Sequence, residues 1–512
     1  MKKLFTILAI FWVAHSFAQN EIIINADLGK DKINKNIYGH FAEHLGNCIY
    51  NGFYVGDTNK LIPNTNGVRN DLIQALKELK VPVLRWPGGC FADTYQWKDG
   101  VGPKDKRPSI VNRWWGGVTE DNSFGTHDFL NMCELMGAEP YLAANVGSGT
   151  VQNLIDWTQY VNGKAGTSPM SKWRVENGRD NPWNVKIWGV GNEAWGCGGN
   201  MKPEYYANIY RQYSTFMGDW TNGEHLFRVA SGSSGNDYNW TEVLMRDIPQ
   251  NLMEGIALHH YAVIDWNAKG PAIGFDEKQY FTIIRNALQM NELVTKHSTI
   301  MDKYDPKKKV ALVVDEWGGW YDVEPGTNPG FLYQQNTIRD AMIAGVTLNI
   351  FNNHCDRVRM ANLAQIVNVL QAVILTKGTA IIKTPTYHVM EMYNVHQDAT
   401  MLPLNLKTND YVFGNEKLPA VSASASKDKQ GVTHISLVNI DPSKAQDISI
   451  EMRGEKYSSV SGRILSSKKL QDYNSFENPD AVKPAAFNGA KMSNNKLTIQ
   501  LPPNSVVVLT LK

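Results

Sequence analysis

Two glutamates that close apolar strands are the chain's most informative chemical feature. Glu193 ends the segment VKIWGVGNE, and Glu316 ends the segment KVALVVDE. Burying a carboxylate is costly unless the group is paired or hydrogen-bonded. One such residue is readily explained as a helix cap or an ion-pair partner. Two of them indicate a pair of carboxylates that face one pocket. Such a pair is the arrangement that cleaves a glycosidic bond.

Other polar residues cluster at the ends of neighbouring apolar segments. They lie in GHFAEH, in RWPGGC, in HHY and around Asn362 and Gln365. Each has an ordinary structural explanation, such as a tight turn, a buried ion pair or a core histidine. If the strands form a (β/α)₈ barrel, however, all of these residues meet at the rim where catalytic groups sit. The shared rim favours a function over separate structural roles.

Residues 37–397 contain eight short apolar strands that alternate with amphipathic helices. Leu72, Ala75, Leu76 and Leu79 follow the helical spacing, and Thr384-Pro385 predicts the start of a last helix. Eight strand–helix repeats predict an α/β fold, a closed (β/α)₈ TIM barrel. An open doubly wound sheet is the alternative, but no Gly-rich dinucleotide loop follows the first strand.

The pattern of apolar and polar residues along the sequence changes at residue 398. Segments such as THISLVNI, KLTIQL and SVVVLTL alternate apolar and polar residues, which predicts an antiparallel β-sandwich or jelly roll over 398–512. The strand-like segment within 19–36 is expected to join that sandwich. The sandwich is either a separate sugar-binding module or a packed accessory domain, and the lack of a linker favours the second.

The first 18 residues have the composition of a signal peptide. Lys2 and Lys3 precede an apolar run, and cleavage is expected after Ala18, so we predict an exported protein, periplasmic or secreted. The net charge is +1, and no block of like charge occurs, so neither nucleic acid nor a membrane is expected as a partner. The 15 Trp and 21 Tyr residues suit sugar binding, although many of them will be core.

Five cysteines are too few and too scattered for a disulfide framework. Cys133 lies on the apolar face of a predicted helix. Cys90 and Cys197 follow Gly-rich strand ends, and a bridge between them is left open. No Cys or His spacing matches a metal site, so we expect neither a metal nor a cofactor.

Five segments, in order along the chain, resemble glycoside hydrolase family 51, which consists mainly of retaining α-L-arabinofuranosidases. The segments are GHFAEHLGNCIYNGFY, RWPGGCFADTYQWKDGVGP, WGVGNEAWGCGGNM, VDEWGGWY and DRVRMANLAQIVNVL. The resemblance extends over essentially the whole mature chain. It implies a barrel with catalytic glutamates on strands four and seven.

Matched by position, the resemblance makes Glu193 the general acid/base and Glu316 the nucleophile. Asn192 matches the residue that binds the sugar 2-hydroxyl. The remaining expected substrate contacts are Glu43, Cys90, Tyr261 and Gln365. Cys90 stands where some members have Asn, and its thiol is a poorer hydrogen-bond donor than the Asn amide.

The resemblance implies release of terminal non-reducing arabinofuranose from arabinan, arabinoxylan or derived oligosaccharides by double displacement. It also implies a homo-oligomer, often a hexamer in this family. The alternatives are an endo-glucanase or β-xylosidase of the same clan, or a non-catalytic glycan-binding protein. The loops AWGCGG and GGWY vary among members, so aglycone preference does not transfer.

Overall fold

The computed structural model describes residues 20–218, 220, 223 and 225–512. Eight parallel strands close into a barrel, as predicted, with each strand pairing with the next and the last with the first. We number these strands β1 to β8: Gly39–Phe41, Val83–Trp86, Glu139–Ala144, Ile187–Val190, Phe227–Ser234, Gly255–Ala262, Ala311–Gly319 and Val358–Ala364. The predicted signal peptide lies outside the described residues.

The described residues form ten α-helices. They are α1 to α10: Asn70–Glu78, Thr126–Met136, Val151–Asn162, Pro169–Glu176, Pro203–Phe216, Tyr238–Asp247, Glu277–Leu288, Met290–Tyr304, Ile338–Asn353 and Pro385–Met392. Helix α1 buries Leu72, Ala75 and Leu76 of the predicted stripe. The Thr384 side chain accepts a hydrogen bond from the Tyr387 N–H and caps α10, as the Thr-Pro pair predicted. No helix in the described part of the chain is long and apolar enough to cross a membrane.

The C-terminal region contains two β-sheets. One has five strands, in the order Leu404–Lys407, Asn20–Asn25, Gln446–Arg453, Lys496–Leu501 and Ala490–Ser493. The other has six, in the order Thr400–Met401, Val421–Lys427, Thr433–Asn439, Ser505–Leu511, Val460–Ser466 and Ala485–Ala486. The strand Asn20–Asn25 thus pairs with the distal sheet rather than with the barrel. The exact domain limits at 36/37 and 397/398 stay predictions.

Within the part of the chain that the structure describes there are also four two-stranded ribbons. They are Asn64–Thr65 with Val68–Arg69, Ile110–Val111 with Thr119–Glu120, Ile374–Lys377 with Ala380–Lys383, and Asp410–Phe413 with Glu416–Pro419.

Helix α9 joins the barrel to the β-sandwich. It is buried from Ile338 to Asn352, as expected of a helix enclosed by protein on all sides. The amide of Asn349 donates to Ser422 Oγ at 3.2 Å, and that of Asn352 donates to Ser424 Oγ at 3.1 Å. The sandwich therefore packs directly on the barrel.

The interior of the barrel is layered. An apolar layer is formed by Val83, Tyr141, Ile187, Val229, Ala257, Ala311, Val313 and Met360. Toward the carboxyl ends of the strands, the side chains of Arg85 on β2, His259 on β6, and Asp315 and Glu316 on β7 replace this apolar layer. The apolar layer gives those charged side chains a rigid support, because close-packed interiors resist deformation.

Candidate active site

A cavity of about 630 Å³ opens at the carboxyl end of the barrel. Six of the seven residues predicted from the sequence line it, and the seventh, Asn192, is buried beside Glu193 at 2% exposure. The structure therefore brings all seven together. The six lining residues are Glu43, Cys90, Glu193, Tyr261, Glu316 and Gln365.

The two central carboxylates lie close together. Oxygen atoms of Glu193 and Glu316 and a ring nitrogen of His259 all lie within 4.8 Å of one another. Inverting glycosidases separate their carboxyl groups by about 6.5–9.5 Å to admit a water molecule, whereas retaining enzymes hold them about 5–5.5 Å apart. The short separation here suits direct attack of one carboxylate on a bound sugar.

Arg85 of β2 holds the Glu316 carboxylate. Its Nη1 donates to Glu316 Oε1 at 2.9 Å, and the Tyr261 hydroxyl donates to Glu316 Oε2 at 2.8 Å. Arg85 Nη2 also donates to Asn192 Oδ1 at 2.6 Å. The guanidinium is only 1% exposed, so its charge acts in a region of low dielectric. Arg85 therefore holds in place both Glu316, the proposed nucleophile, and Asn192, which precedes the proposed acid Glu193.

His259 of β6 lies between the acidic groups. Its Nδ1 is 2.9 Å from Glu193 Oε1, and its Nε2 is 3.1 Å from Asp315 Oδ1. Burial alone would lower the pKa of His259, but Glu316, Asp315 and Glu193 raise it to about 10. Burial likewise opposes ionisation of Asp315, yet Arg85 and His259 hold the pKa of its carboxyl below the usual value. The acidic neighbours thus favour the positively charged form of the ring.

The environment of Glu193 favours its protonated form. Burial raises the pKa of this carboxyl, and the nearby Glu316 charge raises it further, against the opposing hydrogen bond from His259. A carboxylic acid that keeps its proton near neutral pH can act as a general acid. Glu193 and Glu316 therefore have the unequal environments that an acid and a nucleophile need.

The backbone at Glu193 is strained. Its φ is +40°, in the left-handed region that costs a residue with a side chain about 1–3 kcal/mol. The Glu193 carbonyl accepts hydrogen bonds from the N–H groups of Gly196 and Gly198, at 2.7 and 3.1 Å. These bonds hold the turn after β4 in the conformation that aims the carboxyl into the cavity.

One of the two carboxylate oxygens of Glu43 accepts three hydrogen bonds. Its Oε1 accepts from the N–H groups of Gly89 and Phe91 and from Trp115 Nε1, at 2.9, 3.1 and 2.9 Å. Its Oε2 accepts from Gln365 Nε2 at 3.1 Å. Burial, with the Glu316 charge, raises the pKa of Glu43 to about 7. Oε2 keeps acceptor capacity toward the cavity for a ligand hydroxyl.

Cys90 and Cys197 form a disulfide, which answers the alternative that the sequence left open. The two Sγ atoms lie 3.8 and 3.4 Å from Glu193 Oε2. A disulfide carries no S–H, so the expectation of a weak thiol donor at Cys90 is wrong. The bridge instead forms a wall of the cavity beside the proposed acid.

A row of aromatic rings leads from Glu316 to the solvent. The ring of Tyr261 lies 5.0 Å from that of Trp320, which lies 5.5 Å from that of Trp266. Trp266 is 58% exposed, which is unusual for so large an apolar side chain. Exposed rings at a cavity mouth suit the CH faces of sugar residues.

Sequence reasoning placed Arg85, His259 and Asp315 at the barrel rim but assigned none of them a catalytic or binding role. Each occupies an otherwise apolar strand segment, VPVLRW, GIALHHY or VALVVDE. A charged or titratable residue within such a segment was the available signal. An ordinary buried ion pair leaves the same signal, so the sequence could not distinguish the two.

Two family models match the chain. The model described as the alpha-L-arabinofuranosidase C-terminal domain matches residues 315–505. The model described as the alpha-L-arabinofuranosidase 1 domain matches residues 75–271. The first of these matches includes Glu316, and the second includes Glu193.

Proteins named as arabinofuranosidases are similar to the chain over most of its length. An intracellular exo-alpha-L-arabinofuranosidase of Bacteroides ovatus is 53% identical over 493 residues, covering 96% of this chain and 95% of the relative. Alpha-L-arabinofuranosidase C of Emericella nidulans is 31% identical and covers 84% and 86%. The crystal structure of a GH51 arabinofuranosidase from Xanthomonas axonopodis pv. citri superposes with a TM-score of 0.95 at 46% identity, covering 97% and 100%.

One prediction is contradicted by these comparisons. The sequence predicted an exported protein on the basis of residues 1–18. The Bacteroides ovatus relative, which matches 96% of this chain, is named an intracellular enzyme. Export is therefore withdrawn.

Proposed function

Because the chain belongs to the α-L-arabinofuranosidases of glycoside hydrolase family 51 and is an exo-acting glycoside hydrolase, we propose that it works with retention of anomeric configuration. The proposed substrates carry terminal non-reducing arabinofuranose on arabinan, arabinoxylan or derived oligosaccharides. The observation that carries the proposal is the carboxylate pair of Glu193 and Glu316, whose oxygens approach within 4.8 Å.

In the first step, Glu316 attacks the anomeric carbon and Glu193 gives its proton to the leaving oxygen. Arg85 and Tyr261 each bind one Glu316 oxygen, so the carboxylate is aimed before substrate arrives. The raised pKa of Glu193 favours the protonated acid that this step needs. A glycosyl ester on Glu316 and a free alcohol result.

In the second step, Glu193 acts as the base. Formation of the ester removes the Glu316 charge, which is one of the causes that raise the pKa of Glu193. With that charge gone, Glu193 loses its proton more easily and can take a proton from the attacking water. Water then hydrolyses the ester and restores both carboxyl groups.

Substrate contacts follow from the lining of the cavity. We assign furanose hydroxyls to Glu43, Gln365 and Asn192, and the ring region to Tyr261. Hydrogen bonds to the 2-hydroxyl strengthen in the oxocarbenium-like transition state and supply several kcal/mol. The remainder of the glycan would lie toward Trp320 and Trp266. A homo-oligomer, hexameric as often in this family, is part of the proposal, and light scattering of the purified chain tests it.

Proton NMR of the first-formed product tests the mechanism. With a 4-nitrophenyl α-L-arabinofuranoside, we expect initial release of α-L-arabinofuranose, followed by slow mutarotation. Initial release of the β-anomer would contradict retention. Hydrolysis rates on the matching β-D-xyloside and β-D-glucoside provide the specificity control, and a faster rate on either one would contradict the assigned sugar.

A further inference from the structure

Two buried side chains hold the backbone on either side of Glu193. The Asn192 N–H, one residue before Glu193, donates to Asp93 Oδ2 at 2.9 Å. The Ala194 N–H, one residue after it, donates to Ser231 Oγ at 3.1 Å. Asp93 is 2% exposed and Ser231 is 3% exposed, so bulk water has little access to either acceptor. The turn that carries the proposed acid is therefore tied at both flanking residues.

Asp93 is itself fixed by a neighbouring loop. It lies in the short 3₁₀ helix Ala92–Thr94, which follows β2. Its Oδ1 accepts the N–H groups of Val146 and Gly147, which follow β3, at 2.8 and 2.7 Å. The Ser148 hydroxyl donates to the Asp93 carbonyl at 2.8 Å. The carboxylate thus joins the loops after β2 and β3 to the residue that precedes the acid.

Close packing around the Asp93 carboxylate leaves the turn little room to move. A Cβ atom at Gly198 would lie 1.8 Å from the Asn192 carbonyl oxygen and 2.9 Å from Asp93 Oδ2. A Cβ atom at Gly147 would lie 2.9 Å from the Gly198 carbonyl oxygen. Glycine at both positions therefore lets the loops after β3 and β4 meet at Asp93.

Glu193 needs this support because its own backbone conformation is unfavourable. Its φ of +40° persists in a residue with a side chain only when the surrounding contacts enforce it. Asp93 and Ser231 lie behind the residues that line the cavity. We propose that Asp93 and Ser231 are positioning residues, whose bonds to the flanking N–H groups hold the Glu193 carboxyl where it can protonate the leaving oxygen. This inference rests on the proposed role of Glu193 as the acid.

Misplacement of the acid has a specific kinetic signature. A dinitrophenolate departs with little protonation, whereas a phenolate or a sugar alkoxide needs the proton. A displaced Glu193 carboxyl therefore slows hydrolysis most for the substrates with the poorest leaving groups. A general loss of folded protein would instead lower the rate on every substrate by the same factor.

Values of kcat/KM on aryl α-L-arabinofuranosides, from 2,4-dinitrophenyl to phenyl, test the proposal, because they include the step in which the leaving group departs. Asp93→Asn is the sharpest variant. Its amide oxygen can keep both bonds to the loop after β3, while its NH₂ group faces the Asn192 N–H. We expect a loss of about 10²-fold on the phenyl substrate, the cost of misplacing a reacting group by about 1 Å, and a loss at least about ten times smaller on the dinitrophenyl substrate. Ser231→Ala should show the same trend with smaller losses, since a neutral hydroxyl accepts a weaker bond than a carboxylate does.

Asp305→Asn is the matched control. Asp305 is also 2% exposed and accepts a backbone N–H, that of Val310 at 2.7 Å, but it lies at the amino end of β7. This variant should lose stability in urea and keep the leaving-group dependence of the parent. Glu193→Ala removes the acid altogether and should show the steepest dependence.

Equal losses across the series in Asp93→Asn, or rates equal to those of the parent, would overturn the positioning role. The same steepened dependence in Asp305→Asn would overturn it too. If Glu193→Ala shows no dependence on the leaving group, the proposed acid itself is wrong, and the positioning role falls with it. If Asp93→Asn does not fold, Ser231→Ala decides alone.

Discussion

Replacing Arg85 with Met should destabilise the protein and inactivate it together. The buried guanidinium is shared by Glu316, at 2.9 Å, and Asp315, at 3.6 Å. Without it, Glu316 keeps the Tyr261 hydroxyl and the His259 ring at 3.6 Å, while Asp315 keeps Tyr141 and His259. Removing one partner of a buried ion pair costs about 3–5 kcal/mol, because the other charge is left uncompensated.

Activity should fall by at least about 10²-fold in kcat, the cost of a displacement of about 1 Å in a reacting group. Arg357→Met is the matched control, since Arg357 is equally buried and pairs with Asp305 at 3.0 Å at the opposite end of the barrel. It should lose similar stability and keep its kcat. Urea unfolding and hydrolysis of an aryl arabinofuranoside measure both quantities. The reasoning is refuted if Arg85→Met retains the parent's kcat, or if Arg357→Met is equally inactive.

Three further predictions concern the carboxyl groups. Glu193→Ala should lose most activity on natural linkages but keep much of it on nitrophenyl substrates, and azide should restore turnover by attacking the ester on Glu316 to form the α-L-arabinofuranosyl azide; equal loss on both substrates without rescue would disprove the acid/base role. His259→Asn removes a bond that lowers the pKa of Glu193, so the basic limb of kcat/KM should move to higher pH; a limb that moves down argues against the contact. The pKa of Glu43 rises on folding from 4.5 to about 7, so its contribution to stability is complete below pH 4.5 and is lost as pH rises through 7. Urea midpoints should therefore fall with pH in the parent relative to Glu43→Gln, and a constant difference would contradict this.

The parts of the fold that could be predicted are those with a local physical signal. Alternation of apolar strands and helices indicated the barrel, and its closure followed from the count of eight. The Thr384-Pro385 pair predicted the start of a helix that begins at Pro385. Glu193 and Glu316 stood out because each ends a segment too apolar for the surface.

The buried ion pairs of Arg85 with Asp315 and Glu316 could not be predicted from the sequence in the same way. Alternation along a strand places Asp315 and Glu316 on opposite faces, yet both reach the barrel interior, where Arg85 contacts each. The pairing register of β7 shifts between Val314 and Trp317, and that of β6 shifts before His259. Such irregularities depend on neighbouring strands. The Cys90–Cys197 bridge likewise depends on two loops that are 107 residues apart.

The identity of the nucleophile is the centre of this account, and covalent labelling tests it most directly. A 2-fluoro-arabinofuranosyl inactivator forms the glycosyl ester but slows its hydrolysis, so the label stays on the residue that attacked. Peptide mapping should find it on Glu316 in the parent enzyme, and Glu316→Gln should remain unlabelled and inactive toward every leaving group. A label found instead on Glu43, on Asp315 or on any other carboxylate would contradict the account.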